Sequence, residues 1–221
     1  MALSRIEDLL LMAPPLLLSL TIHEYAHARV ALAFGDPTAC GMGRCTLNPL
    51  KHLTVLGTLM LLFSGMIGWA KPVPVTPYNL RPRRLGSAVV SLAGPMSNLA
   101  LAFVCGLTLW GVRTSGVGQT GGEFLVTASH VIIYTIVANL GLCVFNLLPL
   151  FPLDGHHILR EILPERLQRG FMAWQVKYGV VLLATLIFAP RVLENVLRRP
   201  VFDPLRELFG YVIGYALGLL L

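Results

Sequence analysis

Long apolar runs, separated by short polar stretches, dominate the chain. Three runs are long enough to cross a bilayer as helices, at residues 9–34, 85–112 and 124–150. As a helix, the first would measure about 39 Å, against about 30 Å for the hydrocarbon core of a membrane. Two later apolar runs predict further helices at residues 171–189 and 205–221. The pattern therefore predicts an all-α polytopic membrane protein.

A short apolar run and a proline-rich stretch follow the first predicted span. Residues 53–67 are too few to span a bilayer and favour a re-entrant or interfacial segment. Residues 68–77 contain four glycines or prolines, so we expect an extended segment or a hairpin with an unpaired edge. The predicted fold is a bundle of about five to six transmembrane helices with a short re-entrant or extended segment after the first helix. It forms a single integral membrane domain over residues 1–221, with its core at 9–160 and C-terminal helices at 171–221.

The composition agrees with a membrane protein. Apolar residues make up 55% of the 221 residues and charged residues only 13%, whereas soluble domains carry about 25% charged residues. These values exclude a water-soluble globule, a disordered chain, collagen and a small disulfide-rich scaffold. The net charge of +6 would suggest a nucleic-acid partner for a soluble protein, but in a membrane protein basic residues mark cytoplasmic loops. We therefore expect a lipid bilayer as the surroundings and no nucleic acid.

The basic residues predict an orientation. Six Lys or Arg residues lie in the loop at 36–85 and four in the loop at 152–177, whereas the loop at 113–122 holds only Arg113. The positive-inside rule places the first two loops on the cytoplasmic side and the third outside. We expect a multi-pass protein of the cell (inner or plasma) membrane.

The four cysteines do not form a disulfide framework. Cys105 and Cys143 lie in apolar runs and are expected to be small buried side chains. Cys40 and Cys45 are compatible with a pair or with a metal site. Two thiols without a matching second pair are a weak signal for zinc.

An HExxH motif lies inside the first apolar run. Its histidines, His23 and His27, share one helix face at i and i+4, so both imidazoles can reach one metal ion. Glu24 is offset by one residue, which places its carboxylate beside a water on the metal, as in zinc peptidases. A charged side chain at mid-bilayer costs about 2.5–3.5 kcal/mol, which favours a functional role. The alternative is a polar patch that other helices satisfy.

A two-histidine zinc site requires a third protein ligand and an open position for water. The best candidate is Asp154, which follows the proline-broken end of the third run. Irregular backbone is tolerated at that depth where it lines a cavity. The alternative is that Asp154 forms a turn with Gly155 or caps the next helix. Asn146 also has two interpretations: it holds the scissile carbonyl or the developing oxyanion, or it satisfies the broken backbone before Pro149.

Together these motifs resemble the site-2 protease family of intramembrane zinc metalloproteases, which pairs HExxH with a distant NxxPxxxxDG-type motif. The second motif is found here from Asn146 to Gly155. Three more segments are similar to those of compact bacterial members, at residues 44–52 together with 57–58, at 68–75 and at 93–98.

The resemblance implies that His23, His27 and Asp154 bind one zinc ion (Zn²⁺) per chain and that Glu24 is the catalytic glutamate. It also implies a site toward the cytoplasmic side and a membrane-anchored protein as substrate. The compact form has no PDZ or CBS domain, and we expect none in this chain.

Several residues carry weaker expectations. The chain departs from the family pattern at Thr54-Val55, where an Asp-Pro pair is usual, and at His156, which replaces a common Gly. The role of His156 stays open. We expect Asn98 to fix helix packing rather than to contact substrate. Histidines without a metal partner in the sequence are expected to be structural, namely His52, His130 and His157.

The predicted function is an intramembrane zinc metalloprotease that hydrolyses peptide bonds within or near transmembrane segments of membrane-anchored proteins. A zinc-activated water would attack the carbonyl, with Glu24 as general base. Residues 68–77 would offer a strand edge to the unwound substrate, or they are only a rigid connector. The alternative function is a membrane metal-ion transporter, since ionisable side chains in spans mark ion pathways. An inactive binder of membrane helices is disfavoured by the intact Glu24.

Overall fold

The computed structural model describes residues 2–54, 71–115, 122–197 and 203–220. This part of the chain is built from helices and contains no β-strand. The α-helices are α1 (Ala2–Ala33), α2 (Thr38–Gly41), α3 (Arg83–Thr114), α4 (Gly122–Leu147), α5 (Asp154–Ile162), α6 (Glu165–Trp174), α7 (Val180–Leu197) and α8 (Pro204–Leu220). A 3₁₀ turn covers Pro49–Lys51, and a π-helical turn (Gln175–Gly179) joins α6 to α7.

The predicted all-α class is confirmed, and α1, α3 and α4 correspond to the three long apolar runs. Three helical stretches within the described residues are long and apolar enough to cross a membrane, namely Arg83–Thr114, Gly122–Leu147 and Glu165–Leu197. The expected total of five to six transmembrane helices is not confirmed and stays a prediction. The division into a core at 9–160 and C-terminal helices stays a prediction too.

The region 152–177 differs from the loop that its charge suggested. It forms α5 and α6, which Pro164 separates. Basic side chains such as Arg166 and Arg169 are exposed along α6. Their density indicated a loop because charge alone does not distinguish a solvated loop from the polar face of a helix.

Helix α3 lies at the centre of the core and contacts α1, α4 and α5. Small buried residues on α1, among them Ala28 and Ala31, allow close approach of the helix backbones. Ala31 packs with Val90 of α3. The α3–α4 interface is an apolar cluster of Ala102, Leu109, Ile136 and Leu140. This packing turns the His23 and His27 face of α1 toward α3.

The segment after the first helix is described only in part. Residues 55–70 lie outside the described residues, and with them most of the predicted re-entrant segment and the start of the stretch at 68–77. Residues 71–76 form no helix, as expected for a proline-rich stretch. The Lys71 N–H donates to the His52 carbonyl at 2.6 Å, which ties the start of this segment to the loop after α1.

Asp36 anchors the other end of that segment. Its carboxylate is fully buried and accepts hydrogen bonds from the Thr76 N–H (2.7 Å), the Asn79 side-chain amide (2.9 Å) and the N–H and hydroxyl of Thr38. Burial by itself would raise the pKa of Asp36, but these hydrogen bonds outweigh burial and hold the pKa below its usual value. The ionised carboxylate therefore fixes residues 76–79 against the end of α1.

Cys40 and Cys45 form a disulfide within the loop after α1. Their spacing was compatible with a disulfide or with a metal site, and the structure has the disulfide. Cys143 is buried and Cys105 is partly buried, both as free thiols.

We expect Asp36→Asn to destabilise the protein at neutral pH by about 1.5–3 kcal/mol, because a carboxylate hydrogen bond is lost and an amide donor then faces the Thr76 N–H. A depressed folded-state pKa stabilises the fold above the unfolded-state pKa, and this contribution is lost as pH falls through the folded-state pKa. Thermal denaturation in detergent should therefore show a gap between wild type and variant that narrows in acid. A gap that stays constant from neutral to acid pH would contradict this assignment.

Candidate metal centre

The two histidines of the HExxH motif meet on one face of α1. Their Nε2 atoms lie 3.1 Å apart, and the rings make an edge-on contact with centroids separated by 4.7 Å. Both side chains are buried. The i, i+4 spacing of a regular helix is sufficient to produce this pairing. Two ring nitrogens that face each other at this distance need a proton or a cation between them.

Asp154 completes the group from the opposite side. Its Oδ2 atom lies 3.1 Å from His23 Nε2 and 3.3 Å from His27 Nε2. The ligand atoms of the three residues all fall within 4.8 Å of one another. Asp154 is the first residue of α5, and no side-chain hydrogen bond caps that helix. The structure thus brings together the three residues that the sequence suggested as metal ligands.

Gly155 explains how the chain can deliver Asp154 to this position. Helix α4 ends at Leu147, and the backbone then doubles back. A Cβ atom on Gly155 would lie 2.3 Å from the Leu147 carbonyl oxygen and 2.4 Å from that of Leu148. Only a glycine permits so close an approach. The Asp-Gly pair is therefore more than an ordinary exposed turn.

Each imidazole is oriented by a hydrogen bond from its other nitrogen. The Nδ1–H of His27 donates to the Val90 carbonyl at 2.7 Å, and that of His23 donates to the Asn98 side-chain oxygen at 3.2 Å. This arrangement leaves both Nε2 lone pairs free to face Asp154. Asn98 was expected to fix helix packing. Its contact with His23 could be suspected from a polar residue on an apolar helix, but the partner depends on how α1 and α3 pack.

The space between the ligands suits a zinc ion. Asp154 Oδ2 is buried and has no hydrogen-bond partner apart from the two ring nitrogens. Gly94 of α3 lies directly against the rings, and a Cβ there would come within 2.4 Å of His27 Nε2 and 2.5 Å of His23 Nε2. Two imidazoles and one carboxylate are the donor set of catalytic zinc sites that keep one position open.

Glu24 lies beside this group and outside it. Its Oε2 atom accepts a hydrogen bond from the Val73 N–H at 3.0 Å. The carboxylate is thereby linked to the extended segment that Asp36 also anchors. Helix geometry predicts Glu24 near the metal. Its hydrogen bond with Val73 depends on how the extended segment folds back and could not be predicted from the sequence.

A cleft of about 570 Å³ contains these groups. Helices α1, α3 and α4 contribute to its walls, and so do Pro72, Val73 and Val75 of the extended segment. Asn146 also lines the cleft, and its amide donates to the Leu142 carbonyl of its own helix at 2.9 Å. Its two interpretations both remain predictions.

Comparison with known proteins agrees with the geometry. A family model described as Peptidase family M50 matches residues 118–188. The Bacillus subtilis (strain 168) protein named "Putative zinc metalloprotease YwhC" is 41% identical over 175 residues, which cover 79% of this chain and 78% of that protein. The chain belongs to peptidase family M50.

Other relatives come from mycobacteria and share the name "Putative zinc metalloprotease Rip2". Those of Mycolicibacterium smegmatis and Mycobacterium tuberculosis (strain H37Rv) are 32% and 34% identical over 186 residues. Each alignment covers 79% of this chain and 65% of the relative. No solved structure matches the chain. Membership of M50, the site-2 protease family, confirms the resemblance found in the sequence and makes this chain a member of a metalloprotease family.

The remaining histidines of this M50 member do not join the three-residue group. His156 is buried, and its Nδ1 faces the Leu153 carbonyl. His157 lines the cleft. His52 contacts the Thr46 carbonyl through Nε2 at 2.8 Å, as a structural histidine would. His130 is exposed on α4.

Replacing Gly94 by Ala should weaken zinc binding at least tenfold, because the added methyl group occupies space next to both ring nitrogens. Metal content after dialysis, measured by inductively coupled plasma mass spectrometry, is the test. Gly111→Ala is the matched control, since it lies on the same helix and a Cβ there meets nothing within 4 Å. Equal zinc in both variants would show that the ion does not bind at this point.

Proposed function

We propose that this M50 member is an intramembrane zinc metalloprotease that hydrolyses peptide bonds within or near transmembrane segments of membrane-anchored proteins. One zinc ion per chain would be held by His23, His27 and Asp154. The observation that carries the proposal is the convergence of these three donors with the Glu24 carboxylate in one cleft. The cleft lies among long apolar helices, which is where a membrane-embedded substrate would arrive.

The chain's own residues supply the acid–base chemistry. A zinc ion held by His23, His27 and Asp154 would supply Lewis acidity, which polarises water and the substrate carbonyl near neutral pH. Glu24 accepts the proton from the attacking water and returns it to the leaving nitrogen. The Val73 N–H holds the Glu24 carboxylate beside the ligands during this exchange. Asn146 would turn its amide from the Leu142 carbonyl toward the oxyanion.

The substrate has to be unwound before it is cut, since a helix hides its carbonyl groups in backbone hydrogen bonds. Residues 71–77 are non-helical, and four of them line the cleft, namely Pro72, Val73, Val75 and Pro77. Among the described contacts, the N–H groups of Lys71, Val73 and Thr76 are bonded, whereas that of Val75 is not. We assign Val75 as the position where a substrate strand pairs with this segment.

The basic residues of the regions 36–85 and 152–177 support a site toward the cytoplasmic side of the cell membrane. Water would enter from that side, since lipid excludes it. The proposal favours proteolysis over metal transport because the described histidines and acidic residues form one metal-ligand group rather than a series along a path.

Two variants separate the roles of the proposed ligands and base. Glu24→Gln should retain zinc and lose cleavage of a transmembrane substrate by about 10²–10⁴-fold, the usual contribution of a general base. Asp154→Ala should lose both zinc and cleavage. Metal content and gel-based cleavage in detergent or liposomes measure the two effects. Residual cleavage by Glu24→Gln at the wild-type rate, or full zinc in Asp154→Ala, would contradict the proposal.

The strand-pairing role of Val75 is tested by Val75→Pro, which removes its N–H and leaves the Val73–Glu24 bond available. We expect cleavage of a helical transmembrane substrate to fall at least tenfold while zinc content is unchanged. Val75→Ala, which keeps the N–H, is the matched control. Unchanged cleavage by the proline variant would mean that residues 71–77 are only a connector.

A further inference from the structure

A buried glutamine interrupts the long helical stretch Glu165–Leu197. Gln175 opens the π-helical turn Gln175–Gly179 and is only 1% exposed, whereas its neighbours Trp174 and Val176 are 45% and 63% exposed. π-helical turns inside α-helices often mark functional positions. A fully buried amide in an apolar helix requires hydrogen-bond partners, because an unpaired one would be costly.

Those partners lie in the irregular segment that carries Asp154. The Gln175 Nε2 donates to the Pro149 carbonyl at 2.6 Å, and its Oε1 accepts from the Phe151 N–H at 2.9 Å. One side chain therefore satisfies an acceptor and a donor on two nearby peptide groups. No regular secondary structure satisfies these groups, since the segment lies between the end of α4 and the start of α5.

Gly179 makes the close approach of this segment possible. It lies one turn beyond Gln175 on the same side of the helix. A Cβ on Gly179 would come within 2.8 Å of both Gln175 Oε1 and Phe151 Cβ. The helix thus offers the Gln175 amide as a hydrogen-bonding group. Next to it, the missing side chain of Gly179 leaves space for the Phe151 backbone.

The Phe151 N–H that Gln175 binds lies three residues before Asp154. A short turn links the two positions, with the Leu153 N–H donating to the Leu150 carbonyl at 2.8 Å. The Phe151 ring also packs edge-on against His156, at 5.3 Å between centroids, on the other side of Asp154. Movement of Phe151 would therefore shift the carboxylate relative to the histidines of α1, which belong to a different helix.

We infer that Gln175 is a positioning residue for Asp154, which it holds in reach of His23 and His27 by fixing the Pro149–Phe151 backbone. The inference rests on the proposed function, since it assigns Asp154 to the metal. The stretch Glu165–Leu197 contains none of the proposed ligands. Through Gln175 it would nevertheless help to form the site.

The test compares Gln175→Leu, which removes both hydrogen bonds at similar size, with Gln175→Glu, which is isosteric and restores both when protonated. Gln168→Leu is the matched control. It removes the same kind of amide from the same helical stretch, where Gln168 donates to the Leu163 carbonyl at 3.0 Å. Zinc affinity is measured in the purified full chain by competition with a fluorescent chelator, and thermal midpoints are recorded with and without zinc.

We expect Gln175→Leu to weaken zinc binding about 10–100-fold, the usual effect of losing a residue that orients a ligand. Gln175→Glu should recover part of this loss, and Gln168→Leu should bind zinc as the wild type does. The rise in thermal midpoint on adding zinc should shrink in Gln175→Leu, because stabilisation by a ligand follows its affinity. A merely structural glutamine would lower both midpoints equally and leave that rise unchanged.

Wild-type zinc affinity in Gln175→Leu would overturn the inference. Failure of both Gln175 variants to fold would also overturn it, because that result would indicate a structural role. Asp154→Ala, measured in parallel, distinguishes failure of the proposed function from failure of the role assigned to Gln175. If it weakens zinc binding and Gln175→Leu does not, the proposed function stands and the role of Gln175 falls. If Asp154→Ala binds zinc normally, both fall together.

Discussion

The convergence of one carboxylate oxygen on two imidazole nitrogens is the interaction on which the rest of the structure depends. Asp154 Oδ2 lies 3.1 and 3.3 Å from the Nε2 atoms of His23 and His27. These groups come from distant parts of the chain and meet inside a bundle of apolar helices, where isolated charges are costly. Several local features near the site serve this meeting. Gly94 and Gly155 provide the room, and Val90 and Asn98 orient the rings.

A continuous helix could not deliver the carboxylate. Helix α4 has to end so that its continuation can turn back toward α1, and the buried groups of the resulting irregular backbone need hydrogen-bond partners. Gln175 supplies two of them from a helix much later in the chain. On the opposite side of the cleft, Asp36 and Glu24 bind the backbone of residues 73–76. The cleft is thus bounded by two non-helical segments, and the side chains that hold them are buried at Asp36 and Gln175 and partly buried at Glu24.

Much of this could be predicted from the sequence. The length of the apolar runs indicated α1, α3 and α4 because a bilayer requires helices of that length. The i, i+4 spacing placed His23 and His27 on one face, and the need for a third ligand pointed to Asp154. The contacts of Asn98, Gly94 and Gln175 could not be predicted, since they depend on how the helices pack. Helices α5 and α6 were missed because their basic residues indicated a loop.

Zinc K-edge X-ray absorption of the purified protein tests the central claim most directly. We expect nitrogen and oxygen ligands at about 2.0–2.2 Å from zinc, the longer-distance scattering of two imidazole rings, and no sulfur at about 2.3 Å. A sulfur shell, which would point to Cys40 and Cys45, or a spectrum without imidazole scattering would contradict it.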